Sequence, residues 1–123
     1  MYHIAKPSVE QLQWQDMELG VLIHYCMEIY NPDFKKYKTS AVRRELSPDI
    51  INPENLDVEQ WVRSAYELGA KYAVLVANHC TGFSLWPTAE NDYCTSSLKW
   101  KDEKGDICRD FVDACKKYGL KPG

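Results

Sequence analysis

The sequence predicts an α/β fold in which helices alternate with parallel strands, and it predicts only the N-terminal part of such a fold. Three observations carry this. Helical patterns at residues 9–19, 57–68 and 106–118 each open on a capping residue, and an apolar or extended run follows each within one or two residues. The two complete runs, Val21-Leu22-Ile23-His24-Tyr25 and Tyr72-Ala73-Val74-Leu75-Val76-Ala77, begin on unbroken apolar stretches rather than alternating ones. That is the signature of strands buried on both faces of a parallel sheet. The third run, Leu120-Lys121-Pro122-Gly123, has only begun where the 123 residues stop.

Each element follows from local chemistry. Ser8 with Gln11 three residues on is a capping-box start, and Val9, Leu12 and Trp14 lie in the segment that Gly20 is expected to end. Asp57 with Gln60 repeats the device. Val58, Trp61, Val62, Ala65 and Leu68 then recur at helical spacing on one face, and Gly69 supplies the left-handed residue that stops the helix. Asp106 opens the last helix, with Ile107, Phe111, Cys115 and Tyr118 on one face and Gly119 as its stop. These two helices echo each other: Trp61 matches Phe111, Val62 matches Val112, Gly69 matches Gly119 and Lys71 matches Lys121.

The connections are unequal. Links from helix to strand are short, while those from strand to helix run over residues 26–56 and 79–105. Long loops inside a compact fold are usually functional. In a parallel α/β sheet they emerge together at the C-terminal strand ends, where such folds place their sites. Two strands and the start of a third would leave open edges, so the chain is read as the N-terminal piece of a larger domain. The strand over residues 72–77 is expected to lack at least one neighbour.

Composition removes several functions. The hydrophobic fraction is 45%, charged residues make up 27%, and the net charge is −3. This is globular composition, and the net negative charge argues against a basic nucleic-acid-binding surface as the main function while leaving room for a local patch. No apolar run approaches the length of a membrane span, and no basic segment followed by an apolar core marks a secretory leader at the start. Five cysteines, an odd number and without a C-x-x-C pair, read as free thiols.

The candidate site residues sit at the strand ends. His24 and His79 are expected to reach one rim, each able to donate and accept hydrogen bonds with a polar ligand such as a sugar hydroxyl. The segment from Asn78 to Pro87 adds Gly82 for a tight turn, with Phe83 and Trp86 as flat faces for a sugar's C–H surface. Ordinary loop packing is the favoured reading of either aromatic taken alone. His79 and Cys80 are adjacent and point to opposite sides of an extended chain. His24 and Cys26 share a face, but two ligands do not make a zinc site, so no metal is expected. No local signature marks Cys80 as a nucleophile.

These residues resemble the glycoside hydrolase family 29 α-L-fucosidases. Val21-Leu22-Ile23-His24-Tyr25 resembles the family's first strand, typically apolar-Phe-Ile-His-Trp, and Leu56 to Val62 resembles its first barrel helix. Gly69 to Leu75 resembles the second strand. His79-Cys80-Thr81-Gly82-Phe83-Ser84-Leu85-Trp86 resembles its His-His-Asp-Gly-Phe-x-Leu-Trp segment, and Gly105 to Gly123 its second helix and approach to the third strand. The resemblance implies an incomplete (β/α)8 TIM barrel of about two and a half βα units, with residues 1–123 as the N-terminal fragment of the catalytic domain. It implies retaining hydrolysis of terminal α-L-fucose from oligosaccharides or glycoconjugates by a carboxylate nucleophile and a carboxylic acid/base. Neither carboxylate is expected within this chain, which alone should be inactive. Substrate binding falls to His24, His79, Cys80 and Trp86, and no cofactor is implied. Periplasmic or secreted localisation is the family's common setting.

The sequence departs from the family pattern in three places. Cys80 stands where a second His is usual and Thr81 where Asp is usual, and the loop carrying Arg43-Arg44-Glu45-Leu46 lacks the family's Glu-Trp pair. Loss of one buried polar partner of a sugar hydroxyl costs about 1–3 kcal/mol. An inactive or carbohydrate-binding paralogue on the same barrel is therefore the alternative reading, and an Asp at the end of the fourth strand would discriminate against it.

Overall fold

The structure is a computed structural model that describes residues 5–31 and 46–123. Its elements follow the order α1 (Val9–Asp16), β1 (Gly20–Ile23), α2 (Val58–Glu67), β2 (Tyr72–Leu75), α3 (Ile107–Tyr118) and β3 (Lys121–Pro122). The strands form one parallel sheet in the order β1-β2-β3. The register pairs Gly20 with Tyr72 and Ile23 with Leu75 across the first ladder, and Tyr72 with Lys121 across the second. Gly123 extends that second ladder, its amide donating to the Ala73 carbonyl at 2.9 Å and its carbonyl accepting from the Leu75 amide at 2.9 Å.

The capping residues act as the sequence indicates. Ser8 and Gln11 form the full reciprocal box. Asp57 accepts the Gln60 amide at 2.9 Å, but the Gln60 side chain turns to Ser64 instead of returning to the cap. Asp106 accepts the Arg109 amide at 2.8 Å. Gly69 and Gly119 take φ of +93° and +73°, the left-handed conformation that ends a helix without a Cβ penalty.

Gly20 does not end α1. That helix stops at Asp16, and Glu18 takes the positive φ of 56°. Gly20 is instead the first residue of β1, where a Cβ would stand 2.0 Å from a ring carbon of Tyr72. Its smallness lets the tyrosine ring lie over the neighbouring strand.

The core lies on one side of the sheet. Ala73 and Leu75 of β2 point towards α2 and α3, whose buried faces are Val58, Val62 and Ala65 and then Ile107, Phe111, Ala114 and Cys115. The long loop after β2 also enters the core with Phe83, Leu85, Tyr93 and Leu98. The opposite face, defined by the register pair Leu22 and Val74, meets a helix among the described residues only at Trp14 of α1, whose ring lies 6.3 Å from that of Tyr72, and Leu22 is 60% exposed. Helix α1 buries none of its residues. No helix among the described residues is long and apolar enough to cross a membrane.

The expectation of an unpaired strand over residues 72–77 is corrected here. β2 is the central strand with a neighbour on each side, and the open edges are β1 and β3. An edge strand carrying an exposed leucine is a template for association. Leu22→Ser should therefore reduce self-association of the 123-residue chain, read as a fall in weight-average mass by light scattering. An unchanged mass would place the sticky surface elsewhere.

Candidate functional site

The parallel ladder aligns the ends of β1 and β2, and the Val76 amide donates to the Ile23 carbonyl at 3.0 Å just past the last register pair. His24 follows β1 directly. His79 lies farther out than a strand-end residue, four positions past Leu75. The intervening backbone carries it back to the rim, where the two imidazoles meet edge to face with centroids 5.0 Å apart and planes at 89°. Both side chains are exposed.

The loop that holds His79 is tightly built. The Gly82 amide donates to the His79 carbonyl at 2.9 Å, and Gly82 takes φ of +76°. The side-chain amides of Asn78 and Asn91 both donate to the Gly82 carbonyl and to Ser84 Oγ. Asn78 also forms an isolated bridge with Ser84. A loop closed on itself in this way presents His79 at a fixed height above the sheet.

Two thiols and a carboxylate complete the cluster. Cys26 Sγ lies 3.3 Å from His79 Nδ1, and Cys80 Sγ donates to Glu28 Oε1 at 3.2 Å. The adjacent residues His79 and Cys80 thus take different partners, as opposite sides of an extended chain require. Burial pushes the Cys26 thiol up, with Glu28 and Cys80 adding to it. The Cys80 thiol is pushed up first by its bond to Glu28 and then by burial. Both shifts favour the neutral thiol over the thiolate that acts as a nucleophile. Glu28 Oε2 and the Tyr93 hydroxyl are buried without a hydrogen-bond partner among the described residues. Burial and the nearby Glu28 carboxylate both raise the Tyr93 phenol.

The other predicted residues divide. Trp86 is half-buried and lines a recess with Asp106, Cys108, Arg109 and Val112, whereas His24 lines one with Tyr25, Tyr30, Asn52, Gln60 and Trp61 among others. Phe83 is 2% exposed and packs edge to face on Tyr93, so it is core and offers no face to a ligand. All five cysteines are free. The stretch Arg43-Arg44-Glu45 lies outside the described residues. Sequence reasoning missed Glu28 as a partner of Cys80, because nothing in the spacing links a residue after β1 to one after β2. Its place in a strand-end loop was the one available signal.

Beside Trp86, burial and then Asp106 push the Cys108 thiol up to about 11. A raised thiol pKa keeps the neutral form over the whole physiological range. Iodoacetamide labelling of Cys108, followed by peptide mass spectrometry, should accelerate about tenfold per pH unit and not level off before pH 10. A plateau near pH 8 would contradict this environment.

Comparison with known proteins adds relatives to this geometry. A family model described as alpha-L-fucosidase matches residues 3–123. Alpha-L-fucosidase 1 of Arabidopsis thaliana is 32% identical over 117 residues, covering 95% of this chain and 22% of that protein. Tissue alpha-L-fucosidase of Rattus norvegicus is 29% identical over 99 residues, covering 80% of this chain and 18% of the relative. The crystal structure of a glycoside hydrolase 29 family member from an unknown rumen bacterium superposes with a TM-score of 0.84 at 35% identity, covering 95% of this chain and 20% of that one. The chain therefore spans about a fifth of the length of these proteins.

Proposed function

The chain belongs to the alpha-L-fucosidase family, and we propose that it forms the first strands of a (β/α)8 catalytic barrel that removes terminal α-L-fucose from fucosylated oligosaccharides or glycoconjugates with retention of configuration. The observation that carries this is the convergence of His24 and His79, from neighbouring parallel strands, on one rim with their rings 5.0 Å apart. A barrel binds substrate at the C-terminal ends of its strands. Imidazoles there carry ring nitrogens that hydrogen-bond sugar hydroxyls, and with His79 Nδ1 on Cys26 its Nε2 is the nitrogen left for the sugar. The uncovered sheet face at Leu22 supports the barrel reading, since that face would be filled by strands completing the barrel.

In this reading the chain binds and orients, and the bond-breaking carboxylates come from beyond Gly123. A retaining glycosidase needs two carboxyl groups about 5–5.5 Å apart across the scissile bond. Glu28 accepts the Cys80 thiol through Oε1 and its Oε2 is buried, so in this reading it serves as neither. Cys80 enters indirectly, through its bond to Glu28, and Trp86 does not share the recess that His24 lines.

An aryl α-L-fucoside assay tests the proposal on two proteins, the 123-residue chain and the product of its complete reading frame. Turnover by the complete product and none by the chain is the expected result. Turnover by the chain would overturn the division of labour. A complete product that binds fucose without turnover would establish the carbohydrate-binding paralogue instead.

A further inference from the structure

We propose that His24, Cys26 and His79 form a binding site for Zn2+ at the rim. Their nitrogen and sulfur ligand atoms all lie within 4.8 Å of one another, and Cys26 Sγ already stands 3.3 Å from His79 Nδ1. Zinc bonds of about 2.0–2.1 Å to nitrogen and 2.3 Å to sulfur place two tetrahedral ligand atoms roughly 3.3–3.8 Å apart. The cysteine–histidine pair is therefore at coordination spacing. His24, within 4.8 Å of both, closes the remaining gap by rotation of an exposed side chain.

The fold explains why the sequence hides this set. Cys26 sits in extended backbone, with φ −100° and ψ 140°, so it shares a side with His24 two residues earlier. The third ligand arrives from the loop after β2, fixed by the bond from the Gly82 amide to the His79 carbonyl. Two imidazoles and a thiolate are a borderline-soft donor set, which selects Zn2+ over Mg2+ or Ca2+. Three protein ligands leave the fourth tetrahedral position to water.

Binding is a ligand exchange. The Cys26 thiol gives its proton to solvent as the sulfur–zinc bond forms, both imidazoles bind in the neutral form, water ligands of the hydrated ion leave as these three bonds form, and no electron changes hands. One consequence rests on the sugar-binding reading above: His24 and His79 cannot hold zinc and a sugar at once, so zinc and fucose exclude each other.

The test is a titration of the reduced full chain with zinc sulfate by calorimetry, and with Co2+ followed by absorbance. One equivalent of zinc should bind, and Co2+ should show a thiolate-to-metal charge-transfer band. Cys26→Ser should abolish that band and weaken zinc binding by about 100-fold, while Cys108→Ser, remote from the rim, should change neither. Should Cys26→Ser lose its circular dichroism spectrum, His24→Gln at an exposed position is expected to weaken binding in its place. Absence of stoichiometric binding, a cobalt–thiolate band that survives Cys26→Ser, or equal displacement of zinc by Mg2+ would each overturn the site. L-Fucose is added last: displacement of the zinc supports the shared rim. Zinc that stays bound under saturating fucose would remove the sugar assignment of His24 and His79 and leave the metal site standing.

Discussion

Phe111→Ala should destabilise the protein by about 3–5 kcal/mol, the range for emptying a buried aromatic position. Phe111 is 2% exposed at the centre of the buried face of α3, among Ile107, Ala114 and Cys115 and against the helix α2. Removing its ring leaves a cavity in the layer that joins the helices to β2. A domain has only about 5–15 kcal/mol of net stability, so a loss of this size takes a large share of it. Leu68→Ala is the matched control. The helical pattern of α2 puts Leu68 on the apolar stripe with Val62 and Ala65, yet it is 64% exposed at the helix end. Its replacement should stay within about 0.5 kcal/mol. Urea unfolding of both variants reads the contrast, and equal effects would mean that the core has been misplaced.

The second large effect concerns the rim. His79→Ala in the complete protein should weaken binding of a fucose-like iminosugar about tenfold, near the upper end of a neutral hydrogen bond's net worth of about 0.5–1.5 kcal/mol. His24→Ala should do the same. Neither should move the melting temperature by more than a few degrees, because both side chains are exposed and the His79 loop is held by Gly82, Asn78 and Asn91 rather than by the imidazole. Calorimetry paired with thermal melts separates the possibilities. An unchanged affinity with a lowered melting temperature would make His79 structural.

The sequence by itself determined the alternation of elements. Ser8, Asp57 and Asp106 cap the helices they precede, and Gly69 and Gly119 end theirs with positive φ. These signals are legible because each is a contact between residues three or four positions apart. The apolar faces of α2 and α3 were legible for the same reason, since helical periodicity fixes which side chains share a face. The placement of His24 and His79 on one rim followed from the parallel order, and the rings do meet.

What only the tertiary structure decided was which side chains from distant segments touch. Gly20 reads as a helix stop until Tyr72 is laid across it from the neighbouring strand. Phe83 reads equally as a ligand face or as core until Tyr93 closes on it. Leu68 and Phe111 carry the same helical pattern, and only packing distinguishes the exposed one from the buried one. Cys26 with His79 and Glu28 with Cys80 join residues more than fifty positions apart. No periodicity or local spacing encodes such a pair, because it depends on the ladder register and on how far each loop climbs above the sheet.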